Sequence, residues 1–420
     1  MKIDEQKFGI GLVLLCIIMT PFGRGGEIPL ILMALLGAWK FFPQRKELLS
    51  LQSIRDYSLL FVVLWLPMLI ASFDAVNLGK SVATALQFVR FYFVGIYIIL
   101  LVKDRATRDL IIKYSSYILL FWIFDALVQA GFGRDLFGYE ILPGRLNGIF
   151  GRHYKLGLFL GVYAPLLCTY LYLTKNKLKQ LVGFTALVLV MLLAGSRAGW
   201  IMFAVGFIGF IYLLHQQHKI IRWRQIAVLI PLLLVVLFGS YQLSPAFAQK
   251  VKTSMLIFSG DVRLIDKAVS KRVPIWTTAW HMFQDNPVNG VGPRSFRYAY
   301  NDYAAEDDPW NNSNNDGTGA MHGHSMLVDI ACETGSIGLV SLAIVYLLLI
   351  RAWLRAKREA RFFASPFALC LLAALFPINT HFAFYSGAWL QVLFWLMALF
   401  LATLHVQAED SHLLSASTTA

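Results

Sequence analysis

Apolar runs long enough to cross a bilayer recur along almost the whole chain, and nothing else constrains its fold so strongly. A helix needs about 20 apolar residues to span the hydrocarbon. On that length the sequence holds about twelve candidate spans, at roughly 8–22, 26–42, 58–76, 82–102, 109–131, 156–174, 180–196, 198–214, 226–243, 325–350, 364–384 and 387–406. The first two are short, and the pair at 180–214 is split only by "GSRAG". Only 15% of the 420 residues are charged, where a soluble domain carries about a quarter. The expected fold is therefore all-α and polytopic. Nine helices fill 1–243, a large outer loop follows at 244–323, three more helices occupy 324–406, and a polar tail runs over 407–420. The first apolar segment leads straight into the second, so it reads as a retained span rather than a cleaved leader.

A net charge of +13 would suit nucleic acid, but its placement argues otherwise. Lys and Arg gather in short loops on the cytoplasmic side of membrane proteins. With the N-terminus inside, those loops are "KFFPQRKELLSLQSIRD", "KDRATRDLIIK", "KNKLK", "HKIIRWRQ" and "RAWLRAKREAR", with 4, 4, 3, 3 and 5 basic residues. The charge is thus mostly a topology signal: both termini cytoplasmic, the 244–323 loop outside, and no nucleic-acid partner. One short outer loop breaks the rule. "GFGRDLFGYEILPGRLNGIFGRHYK" carries Arg134, Arg145, Arg152 and Lys155, and cations that oppose the orientation point to an anionic ligand or a solvated patch.

The outer loop is too long for a connector. Its eight basic and eight acidic residues cancel. "KRVPIWTTAWHMFQDNP" reads as a helix with Pro274 in its first turn and a stop at Asn286-Pro287. "NGVGPRSF", with Arg294, is turn chemistry, and "AAEDDPWNNSNNDGTG" reads as flexible and polar. Then "GAMHGHSMLVDIACETGSIGL" brings His322 and His324 to the mouth of an apolar helix.

The residues fit for chemistry sit at the outer edge. His324 is expected in the first turn of the span, where the positive end of the helix dipole keeps an imidazole neutral and so able to accept a proton; the plain alternative is a helix-capping side chain. His322 reads as an orienting or solvent-facing partner. Arg197 has the very short outer loop "AGSRAG" to itself, and an arginine at a membrane boundary is a functional hypothesis by default. Its planar fork suits a phosphate; otherwise it snorkels. Arg272 and Lys271 stand ahead of the loop helix, whose N-terminus favours anions. No P-loop, GxGxxG in strand–helix context, or GxSxG occurs. The four cysteines, Cys16, Cys168, Cys332 and Cys370, lie in apolar runs with no metal spacing. No cofactor and no metal are expected, so arginines must neutralise any anionic substrate.

The order "RLNGIFGRHYKLG", "AGSRAG", an R-x-x-x-W loop helix, "NPVNGVGPRSF" and "H-x-H-S…ETGSIGL" resembles the O-antigen ligase/polymerase superfamily over about 145–340. The resemblance implies a mainly helical, GT-C-like, metal-independent glycosyltransferase of the bacterial inner membrane. Its implied donor is a glycan on undecaprenyl pyrophosphate and its implied acceptor is lipid A–core, with the reaction at the periplasmic face amid membrane lipids. It places Arg197 and Arg272 as pyrophosphate binders and a histidine as the base. Ser325 stands where the family often has asparagine, which leaves the register between His322 and His324 open. Arg145, Arg152, Lys155, Lys271, Arg294 and His322 are the further substrate-binding candidates. Extension of one lipid-linked glycan by another, and transfer to a protein, fit the same residues. A lipid-linked sugar transporter would instead show polar or broken helices at mid-membrane.

Overall fold

The computed structural model describes residues 4–218, 234, 237–242, 244–379 and 383–417. Among them the chain is helical with no strand, apart from isolated bridges of Arg134 with Glu140 and Leu142 with Arg145. In chain order the helices are α1 Glu5–Ile18, α2 Glu27–Leu48, α3 Gln52–Ile70, α4 Leu78–Leu101, α5 Arg105–Phe132, α6 Leu156–Leu173, α7 Lys177–Leu193, α8 Arg197–His218, α9 Pro245–Met255, α10 Val262–Ala268, α11 Val273–Asp285, α12 Phe296–Tyr303, α13 Met326–Arg355, α14 Arg358–Ala374 and α15 Gly387–Ser417.

Among the described residues, seven helices are long and apolar enough to cross a membrane: α3, α4, α5, α6, α8 over Arg197–Gln216, α13, and α15 over Gly387–Val406. The other expected spans are shorter, kinked or largely outside the described residues. α1 has 14 residues because "TPFGRGG" follows it as a kinked 3-10 stretch, with Gly23 at φ 61. α2 contains Pro43 and leaves helical geometry at Gln44, as a missing N–H and a ring clash require. α7 and α14 have 17 residues each. The span expected at 226–243 lies largely outside the described residues.

The chain divides into two compact units, and each is taken by itself. The first comprises Met1–Glu27, Asp104–Met255 and Phe362–Phe376. Its centre is α6, buried almost all round, against α5, α7 and α8. Glycines let α6 and α8 meet backbone to backbone: a Cβ on Gly161 would stand 2.6 Å from the Gly199 carbonyl oxygen, and one on Gly199 would strike the Gly157 carbonyl. Small residues at such crossings are how helices pack closely in lipid. Gly199→Val is expected to lower the melting temperature of the detergent-solubilised protein, overpacking alone costing about 1–3 kcal/mol. Gly11→Ala, where an added Cβ meets nothing within 4 Å, is the control and leaves melting unchanged or raised.

The second unit comprises Ile28–Lys103, Leu256–Arg361 and Pro377–Ala420. α3 and α4 pack on α15 around a ring cluster in which Phe394 stacks on Phe91 and meets Phe88, Phe61 and Tyr57 edge-on. The Tyr57 hydroxyl donates to the Phe91 carbonyl at 2.6 Å. The loop helices have a small core of their own: Ile275, Ala279 and Met282 of α11 meet Phe296, Ala299 and Tyr300 of α12 and Cys332 of α13. The run expected to be flexible contributes to this module. Asp308 is buried and accepts from the hydroxyls of Tyr300, at 2.9 Å, and Thr278, at 3.2 Å; these two bonds fix the acidic segment.

Candidate active site

In the first unit, "PGRLNG" and "AGSRAG" lie on one another. Leu146 N–H donates to the Leu193 carbonyl at 3.0 Å. Gly195, at φ 58, sits so close that a Cβ there would be 3.0 Å from Arg145 Cγ and 3.1 Å from the Gly144 oxygen. This turn delivers Arg197 to the start of α8, whose first N–H groups bond Ser196: Gly199 N–H donates to its Oγ at 3.2 Å, and Trp200 N–H to its carbonyl at 2.9 Å. Arg197 is half-buried, its Nη1 lies 3.4 Å from Ser254 Oγ of α9, and Arg145 is the charge that acts on it. Two cations are therefore held as neighbours.

Arg145 also lines a largely apolar cavity of about 600 Å³, with walls from Ile141, Leu146, Leu189, Leu193 and Pro245. Its guanidinium lies 4.7 Å from the centre of the Tyr154 ring. Burial pushes its pKa below the ordinary arginine value, Tyr154 acting the other way; the group stays a cation, but one poorly served by water and apt to take an anion. Burial likewise lowers the Lys155 ammonium, the residue that precedes α6. Arg152 is exposed in the same loop, next to His153, whose imidazole is lowered by burial and then by the Lys155 charge.

The remaining predicted residues belong to the second unit. α11 begins where the sequence places it, with Arg272 at the N-cap and Pro274 in the first turn. Ser270 and Lys271 both take left-handed backbone, at φ 65 and 57. Asp266 holds this bend: its carbonyl accepts from Lys271 N–H at 2.8 Å and its carboxylate from Val273 N–H at 2.9 Å. The Lys271 carbonyl accepts from the Trp310 indole at 3.0 Å. One N–H at the helix start is thus already bonded to a carboxylate, and the half-buried Arg272 side chain is what the cap offers an anion.

His324 lies one residue ahead of the α13 N-cap, Ser325, rather than in the first turn, and has φ 51. Tertiary bonds hold this bend. The Gly323 peptide is gripped at both ends: its N–H donates to Asp329 Oδ1 at 2.6 Å and its carbonyl accepts from the Trp276 indole at 2.9 Å. Asp329, 1% exposed, uses its other oxygen to accept from Phe384 N–H at 2.9 Å. The two imidazoles are 3.9 Å apart between centres. His322 Nδ1 accepts from the His324 backbone N–H at 3.1 Å and lies 3.9 Å from Asp329 Oδ2. That bond makes Nδ1 of His322 an acceptor and leaves its proton on Nε2.

α13 is broken at Gly335, at φ 61 and ψ −157. The "NPVNGVGPRSF" loop fills the break. Val291 and Gly292 N–H groups donate to the Cys332 and Glu333 carbonyls at 2.7 and 3.1 Å, while Ser336 and Ile337 N–H groups donate to Pro287 and Val288 carbonyls at 2.9 and 3.1 Å. A Cβ on Gly290 or Gly335 would strike the opposing backbone, so both glycines are there for close approach as well as for φ. The turn ends at Arg294, φ 63, whose N–H donates to the buried Glu333 carboxylate at 2.9 Å. The Arg294 charge also acts on Glu333 and on Asp329.

Asp329 and Glu333 are the residues that the sequence reading passed over. An acidic side chain inside an apolar run is itself a functional signal, and "MLVDIACETGSIGL" holds two. Among the described residues no three His, Cys, Asp or Glu side chains group so as to hold a metal ion.

Residues 182–343 match the family model described as O-Antigen ligase. That segment contains Arg197, Lys271, Arg272, Arg294, His322 and His324, while Arg145, Arg152 and Lys155 precede it. No curated protein sequence matches the chain. Among the described residues seven helices are long and apolar enough to cross a membrane, which makes the chain a multi-pass membrane protein, and the matched family is one of glycosyltransferase-like ligases and polymerases. Residues 182–343, about two fifths of the chain, are thus the part that is similar to the O-antigen ligase family.

Proposed function

We propose that the protein moves a glycan en bloc from undecaprenyl pyrophosphate to a sugar hydroxyl of lipid A–core at the periplasmic face of the bacterial inner membrane. The observation that carries this reading is the pair of neighbouring cations, Arg145 and Arg197, with Arg145 at the edge of an apolar cavity. A lipid diphosphate has the matching chemistry: an anionic head for guanidinium forks and a hydrocarbon tail for leucine walls. Arg272, Lys271, Arg294, Arg152 and Lys155 are the other cations proposed for the anionic donor.

In the reaction His324 takes the proton of the acceptor hydroxyl. The oxygen attacks the anomeric carbon from the face opposite the diphosphate, so the configuration inverts. The bond from that carbon to the diphosphate oxygen breaks, and its electron pair leaves with the diphosphate, a group suited to guanidinium donors; Arg197 and Arg272 are each proposed for that role. The leaving group is a stable anion, so donors aimed at it do more than a general acid would. The base is needed because an alcohol is a weak nucleophile.

The break in α13 is a feature that a lipid-linked sugar transporter would share. Here the freed backbone groups are bonded by the 287–292 loop, as a structural clamp requires and an open path does not. The deciding experiment supplies purified protein with lipid-linked glycan and one acceptor at a time. Glycan on lipid A–core is expected. Longer lipid-linked glycan with donor alone would make the protein a polymerase, glycan on a pilin-like protein would make it a protein ligase, and flux into vesicles without any glycosyl product would overturn the transferase reading.

A further inference from the structure

At the end of α13 farthest from His324, helices α3, α13 and α15 line a pocket of about 360 Å³, within the size range of small-molecule sites. Arg351 and Arg355, one turn apart on α13, both face it, with Leu348 and Leu401 among its apolar walls. Basic residues in the last turn of a helix are ordinarily explained by the exposed carbonyls there. That task is already done by Arg361, whose Nε donates to the Ala356 carbonyl at 2.9 Å and whose Nη2 donates to the Leu354 carbonyl at 3.0 Å.

Asp56 alone among the lining residues is acidic. It accepts from the Gln52 amide at 2.7 Å and lies 3.6 Å from His405 Nε2. That nitrogen is buried, and among the described residues its nearest acceptor, the Asp56 carboxylate, stands just beyond hydrogen-bond length; the Arg351 charge also acts on Asp56. Two guanidiniums against one carboxylate leave the pocket cationic, and its leucines leave it amphipathic. Planar guanidiniums bind phosphate oxygens in pairs, and basic pockets between membrane helices suit lipid head groups.

We propose that this pocket binds a phosphate oxyanion between Arg351 and Arg355, with His405 as a further donor and apolar substituents of the ligand against the leucines. The site is independent of the transfer reaction. The phosphate belongs either to an anionic phospholipid or to a small soluble ester, and the test separates the two.

The full chain is placed in nanodiscs of phosphatidylcholine with or without phosphatidylglycerol, and lipid retained after extraction is counted by native mass spectrometry. A parallel arm measures thermal stabilisation in detergent by inorganic phosphate. Wild type is expected to retain phosphatidylglycerol over phosphatidylcholine, and Arg351→Gln/Arg355→Gln to lose about tenfold or more of that preference. Ala352→Phe fills the pocket without altering charge and is expected to lose it as well. It decides the matter if the double variant fails to fold. Stabilisation by phosphate alone, abolished in both variants, assigns the site to a soluble ester. Equal retention of the two lipids by wild type without phosphate stabilisation, or responses to both ligands that survive in the folded variants, overturns the proposal.

Discussion

His324→Ala is expected to slow glycan transfer by about 10²–10⁴-fold, the range that general base catalysis supplies, while donor binding and membrane insertion persist. The structure gives the two histidines unequal positions. His322 Nδ1 is engaged by the His324 backbone N–H, so that lone pair is not available to an incoming alcohol. His324 stands at the bend whose Gly323 peptide is held by Asp329 and by the Trp276 indole. A base so fixed works without reordering of the loop. His322→Ala is therefore expected to cost less than His324→Ala, and the reverse order assigns the proton transfer to His322. The assay is single-turnover transfer by purified protein at several pH values. Wild type loses rate on acidification, because a protonated imidazole cannot accept; the residual rate of His324→Ala lacks that limb, and added imidazole restores part of it. Transfer at the wild-type rate by His324→Ala, in protein free of any wild-type copy, removes the residue from the mechanism.

The parts of the fold that were legible in the sequence are those set by local chemistry. Uninterrupted apolar runs announced α3 to α6, α8, α13 and the first part of α15. Pro274 and Asn286-Pro287 bracketed α11 to within a residue or two. All four cysteines are buried and unpaired by disulfides, as residues of apolar runs should be. The illegible parts depend on partners distant in the chain. Apolar residues continue past Gly335, so periodicity reads α13 as one span; the break exists because the 287–292 loop supplies bonds that the helix would otherwise make to itself. Asp308 looks solvated beside Asp307 until Thr278 and Tyr300 are brought to it. "AGSRAG" and "PGRLNG" each advertise an arginine, but only the packing of Gly195 against Gly144 and Arg145 makes the two neighbours.

Asp329 shows the same limit from the other side. Its position in an apolar run is visible in sequence, and its carboxylate bonds to Gly323 and Phe384 are not. A buried carboxylate that satisfies two backbone N–H groups is costly to alter, because each donor left without a partner is worth about 1–3 kcal/mol. Its work is to hold the bend that carries His324.

Arg197→Ala is expected to reduce transfer by about 10²–10³-fold, the usual cost of losing one preorganised donor to a developing anion. Two features separate this from a folding defect. The start of α8 is bonded to Ser196 and packed through Gly199, so neither the cap nor the helix crossing depends on the guanidinium. Ser254 Oγ, its neighbour at 3.4 Å, has a second bond to the Lys250 carbonyl at 2.8 Å and keeps a partner in the variant. Arg197→Lys retains the charge but not the planar fork, and recovery is expected to be partial for that reason. Arg145→Ala should weaken donor retention too, with a smaller loss in rate, since part of its side chain rests on Tyr154 and its charge acts from beside Arg197. The double variant is expected to lose less than the product of the single losses, because neighbouring groups that serve one anion are not independent. The measurements are the rate of transfer from lipid-linked glycan and retention of labelled donor by each folded variant. Unchanged transfer in Arg197→Ala, or strictly multiplicative losses in the double variant, would separate the two arginines and leave the diphosphate without its grip.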